Sequence, residues 1–80
     1  MHELGVLYRA VKTVDDMAGK HKIDKVKHMT LEVGDSSGFV PRYFEKLFPV
    51  AVDKFPRMQE AELKIESVEG RGLSIKEFGY

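Results

Sequence analysis

The chain has no cysteine anywhere in its 80 residues. That absence removes disulfide staples, thiolate zinc sites and cysteine nucleophiles together, and agrees with a reducing compartment. Any bound metal must therefore use nitrogen or oxygen. Net charge is also missing, since thirteen basic residues balance thirteen acidic ones, and with it the electrostatic footprint of a nucleic-acid binder. No apolar run approaches the roughly 20 residues that span a bilayer. The stretch from Leu4 to Val11 is interrupted by Arg9 and leads into Lys12, Asp15 and Asp16, unlike a secretory signal. The expectation is a soluble, cytoplasmic monomer with neither nucleic-acid nor membrane partners, built as a single domain over residues 1–80. A core this small leaves a thin stability margin, so every apolar face must count.

What is present is clear periodicity. Leu4, Leu7, Tyr8, Val11, Val14 and Ala18 recur at three- and four-residue intervals, which predicts an amphipathic helix over about residues 3–20. Gly19, with Lys20 and Lys22 beside the terminal carbonyls, suits its C-terminus. From Val26 to Val33 the period changes to alternation, with Met29, Leu31 and Val33 on one side and His28, Thr30 and Glu32 on the other, the pattern of a half-buried strand. A turn at residues 34–38 precedes Pro41, which suits the first turn of a second helix carrying Phe44, Leu47, Phe48, Ala51 and Phe55 inward. Pro49 cannot donate to the Glu45 carbonyl, so a kink or a split is expected there, with the helix ending at Phe55-Pro56. Leu63 and Ile65, then Leu73 and Ile75, alternate with polar residues around Gly70-Arg71-Gly72, which reads as a hairpin. Val68 and Phe78 break parity and predict a bulge or strand end near each. The fold class is thus α+β in the order α-β-α-β-β, with both helices on one face of a small three-stranded sheet.

Two motifs are weak. Gly34-Asp35-Ser36-Ser37-Gly38 matches the G-x-S-x-G nucleophile elbow, yet His2, His21 and His28 all lie upstream of the serine, whereas that chemistry needs its histidine downstream. A plain turn, with serine or aspartate capping the next helix, is the better reading. The basic stretch from Lys20 to His28 has no interleaved aromatic to stack a base and reads as a solvated helix end and strand start. Paired carboxylates for acid–base work are not evident either; the glutamates of the last two strands read as a wet face.

The amino terminus offers more. The α-amine of Met1, the main-chain nitrogens of His2 and Glu3, and the His2 ring can surround one ion with four nitrogens, a set favouring square-planar Ni(II) or Cu(II). A tripeptide at a chain end is by itself more often a frayed helix start. Its position raises its standing, because the first N–H groups of a helix lie outside the i→i−4 ladder, and a metal that deprotonates them breaks no helical bond. The amine ordinarily titrates near pH 7.7–8.0, so affinity should rise with pH. The bulky second residue is expected to keep Met1 in place. His28 is a remote candidate for a further ligand. His21 is weaker still, about 27 Å from His2 along the helix at 1.5 Å per residue.

Taken in order, Met1-His2-Glu3-Leu4 opening an amphipathic helix, residues 31–40 (LEVGDSSGFV) leading to an aromatic-rich helix, and residues 61–66 (AELKIE) resemble the HypA/HybF family of hydrogenase nickel-incorporation proteins. The resemblance implies that Met1, His2 and Glu3 receive Ni(II). It further implies delivery to a nickel-handling GTPase and a hydrogenase precursor, or to urease maturation. Family members insert a zinc domain with two C-x-x-C pairs between the last two strands, whereas here a tight turn at residues 70–72 closes directly. The implied protein is the nickel-binding domain alone, a non-enzymatic metallochaperone. The rival readings are an interaction module that no longer carries nickel and a small enzyme built on Ser36.

Overall fold

The helical spacing of Leu7, Ala10, Val11, Val14 and Ala18 winds into α1 (Glu3–Lys20), whose buried stripe these residues form. The computed structural model describes residues 3–80. β1 (His28–Gly34) follows, then α2 (Pro41–Ala51), a short 3-10 turn (Pro56–Met58), β2 (Glu62–Val68) and β3 (Leu73–Gly79). This is the expected α+β order. Met29, Leu31 and Val33 of β1 join Leu7, Val11, Val14, Phe44, Phe48 and Met58 in one core. The opposite face of the sheet carries His28, Glu32, Glu62, Lys64 and Glu66, so both helices cover a single face.

Strand pairing differs from the sequence expectation. β2 and β3 do not form a hairpin: the sheet order is β2-β1-β3, with β1 parallel to β2 and antiparallel to β3. Alternation says that a strand has two faces but not which strand lies beside it. The parallel pairing follows from the helix between β1 and β2, because a β-α-β connection returns the chain in the same direction. Residues 69–72 therefore cross over the end of β1 instead of turning back beside β2. The N–H of Gly34 donates to the Gly72 carbonyl (2.7 Å), that of Asp35 to Val68 (2.7 Å) and that of Ser36 to Gly70 (2.8 Å). The Gly70 N–H returns a bond to the Asp35 carboxylate at 3.1 Å. A Cβ on Gly34 would press into the Gly70 carbonyl, lying 2.7 Å from its carbon and 2.9 Å from the Gly72 nitrogen.

The parity breaks resolve as expected. β2 ends at Val68, and the β1–β3 register shifts between Thr30, opposite Glu77, and Leu31, opposite Ile75, leaving Lys76 as the extra residue of a bulge. Three helix-end expectations are corrected. The left-handed residue after α1 is Lys22 (φ +59°), with the Ile23 N–H donating to the Ala18 carbonyl at 2.9 Å, so the cap lies three residues beyond Gly19. Gly19 instead leaves room for the Arg57 guanidinium, which donates to the carbonyl and carboxylate of Asp15, both at 3.3 Å. α2 ends at Ala51, so Phe55 lies beyond it, its ring centroid 5.4 Å from that of Tyr8. Pro49 does not split α2. It sits in the last turn on the exposed side, and the Val52 N–H still reaches the Phe48 carbonyl at 3.0 Å.

Two substitutions test this account. Gly34→Ala should cost at least about 1–3 kcal/mol, because the obstacle is backbone rather than a movable side chain; a urea midpoint like that of the native chain would contradict the crossover. Lys22→Gly should raise stability by about 0.5–1 kcal/mol, relief of left-handed strain exceeding the extra chain entropy of glycine. The same denaturation curves measure it.

Candidate metal site

α1 begins at Glu3 with the first-turn acid on the inner side of the helix. Glu3 is only 4% exposed, and its carboxylate accepts the Val40 N–H at 3.3 Å. Val40 is the residue preceding α2 and supplies no side-chain cap of its own. The Glu3 carboxylate therefore lies at the positive end of α2, where a negative charge is favoured. This joins the starts of the two helices and sets the first turn of α1 beside the loop that leaves β1. The expected cap from residues 34–38 is not what forms: the Ser37 hydroxyl accepts the Phe39 N–H at 3.2 Å, one residue short of the helix boundary.

Of the ligand set expected from the sequence, Met1 and His2 lie outside the described residues, and Glu3 immediately follows them. The other histidines are not brought to this place. His28 opens β1 at the end opposite Gly34, roughly 20 Å away at about 3.3 Å per residue, and its ring lies over Gly79, whose Cβ position would be 2.8 Å from Nε2. It faces the open side of the sheet, away from the helices. The His21 ring nitrogen Nδ1 is 3.1 Å from the Met17 carbonyl, beyond the far end of α1. Among the described residues no three or more His, Asp or Glu side chains gather as a metal cluster.

A groove of about 740 Å³ runs between the first turns of α1 and the end of α2, walled by Leu4, Tyr8, Pro49, Val50 and Ala51 with Asp53 and Lys54 at its polar end. One carboxylate beside one ammonium is no ligand set for a transition metal. Ser36 is held as a turn residue: its N–H bonds the Gly70 carbonyl, and its hydroxyl lies 3.4 Å from the Asp35 carboxylate, itself engaged by Gly70. The basic stretch is drawn into ordinary surface pairing, with Lys25 2.9 Å from Glu60. That ammonium holds the Glu60 carboxyl below its usual range.

Sequence reasoning missed the structural work of Glu3 and Asp35. A first-turn glutamate and a second helix lacking Ser, Thr, Asp or Asn at its cap were the available signals, but a bond spanning 37 residues has no local signature. Glu3→Ala should lower the melting temperature by a few degrees and Glu3→Gln by less, since the amide oxygen can still accept from Val40. Equal melting of all three proteins would show that the carboxylate does not join the helices.

The comparisons with known proteins agree with this architecture. The family model described as HypA, hydrogenase/urease nickel incorporation, metallochaperone, matches residues 1–74. The hydrogenase maturation factor HypA of Geobacter metallireducens is 38% identical over 72 residues, which is 90% of this chain and 62% of that relative. The fold superposes on the solution structure of the Ni metallochaperone HypA from Helicobacter pylori with a TM-score of 0.77, covering 96% of this chain and 72% of that one at 17% identity. The last likeness is one of fold. The family model covers residues 1–74 and the Geobacter relative is identical at 38% of the 72 aligned positions, so the chain belongs to the HypA family.

Proposed function

We propose that this chain is a nickel-binding metallochaperone domain that takes up Ni(II) through the Met1 amine, the main-chain nitrogens of His2 and Glu3, and the His2 ring. The observation that supports this reading most is the start of α1 at Glu3, in a chain of the nickel-incorporation family. Both peptide nitrogens of the ligand set then lie ahead of the i→i−4 ladder, so their deprotonation leaves α1 intact. In this reading Glu3 contributes its main-chain nitrogen to the metal, while its carboxylate accepts the Val40 N–H. Four nitrogens in a plane suit Ni(II), and their number allows release when an acceptor supplies competing ligands.

The proposed role is cargo transfer without catalysis, in the cytoplasm, to a nickel-handling GTPase and a hydrogenase precursor or to the urease pathway. We further propose that residues 1–80 act as one nickel-binding domain in which the crossover at residues 69–72 stands where relatives insert a cysteine zinc domain. The chain spans about 62% of the length of its Geobacter relative.

Calorimetric titration with Ni(II) tests the reading. A single ion per chain should bind, more tightly as pH rises toward the range of the amine, about 7.7–8.0, with the yellow colour of a diamagnetic square-planar complex. Binding should be lost on His2→Ala and on adding one residue before Met1, while Glu3→Gln should retain it. Unchanged affinity in the extended chain would remove the amine from the ligand set, and no binding by the native chain would leave an interaction module.

A further inference from the structure

The two edges of the sheet are not equivalent. β3 is broken by its bulge at Lys76, a device that spoils an edge for further pairing. β2 runs unbroken for seven residues beside β1. The Glu62 N–H donates to the Lys27 carbonyl and the Val68 carbonyl accepts from Asp35, so the even-numbered residues of β2 bond inward. The N–H and C=O groups of Leu63, Ile65 and Ser67 consequently point outward along the edge. Leu63 and Ile65 are only half-buried on the core side, whereas their β1 partners Met29 and Leu31 are fully covered.

We infer that the β2 edge is a self-complementary surface that pairs with β2 of a second copy of this chain, antiparallel and centred on Ile65, to give a continuous six-stranded sheet. Centring on Ile65 makes Ile65 face Ile65 and Leu63 face Ser67 as hydrogen-bonded pairs, roughly six bonds across the two-fold axis. It also uses the whole strand. On the open face the same register sets Lys64 against Glu66 twice, as directly opposite pairs of opposite charge. Centring on Lys64 would oppose Lys64 to itself and Glu62 to Glu66, and centring on Glu66 would oppose that carboxylate to itself. Centring on Leu63 would slide the ends of β2 out of register. Glu66 already accepts Lys76 at 2.9 Å, which leaves a carboxylate oriented on the open face for a second ammonium. The dimer departs from the monomer expected from composition alone, because composition cannot show which strand edge is left open.

Sedimentation velocity of the full chain from micromolar to millimolar concentration tests the inference, and the native chain should shift from monomer toward dimer across that range. Lys64→Glu should weaken association about tenfold by setting like charges opposite each other twice. The charge exchange Lys64→Glu with Glu66→Lys should restore it, which a merely structural role for either residue would not do. Ser67→Pro, which removes an outward N–H without touching β1, should also weaken it, and circular dichroism checks that each variant is folded. A native chain that stays monomeric throughout overturns the inference. So does association indifferent to Lys64→Glu, and failure of the exchanged pair to recover overturns the Ile65 register.

Discussion

The close passage of residues 69–72 over Gly34 is the constraint on which the sheet depends. β2 and β3 lie on opposite sides of β1, so the chain must cross from one edge to the other in four residues, and it can do so only by lying directly on the strand it crosses. The absence of a side chain at residue 34 lets the two backbones come within hydrogen-bonding distance. Asp35 then fastens the crossover from the side. The buried β1 is thereby paired along both edges, which satisfies its backbone polar groups where water does not reach.

The helix layer is held by different means. Phe44, Leu7 and Met58 fill the space above β1, a non-directional interaction that covers the sheet without fixing where each helix begins. Directional contacts supply that: Arg57 ties the 3-10 turn to the last turns of α1, and Glu3 ties the first turn of α1 to the start of α2. The first turn of α1 is thus anchored at Glu3 to the start of α2. Apolar packing accounts for the fold of the described residues.

The sheet edges show how two strands of similar length acquire different properties. One extra residue at Lys76 disrupts the β3 ladder, while β2 stays regular and bears its charges in the order Glu, Lys, Glu on the open face. Charge order on a regular edge selects a register, because a shift that opposes like charges is penalised along the whole strand.

Element types were legible in the sequence because periodicity reports which side of each segment is buried. α1 and β1, the inward set Phe44 and Phe48, and the parity break that became the Lys76 bulge all follow from spacing alone. The family followed from ordered motifs. Neighbour relations were not legible. The hairpin expected at residues 70–72 became a crossover because a glycine turn fits either connection, and only placing α2 between β1 and β2 makes those strands parallel and puts β1 in the middle. The same placement puts His28 at the end of β1 opposite Gly34, on the open face. What the sequence determined by itself was the alternation of buried and exposed positions and the chemistry carried by each residue. The tertiary structure alone decided which of those residues meet, because pairing across β1 and the bond from Glu3 to Val40 join parts of the chain that share no local pattern.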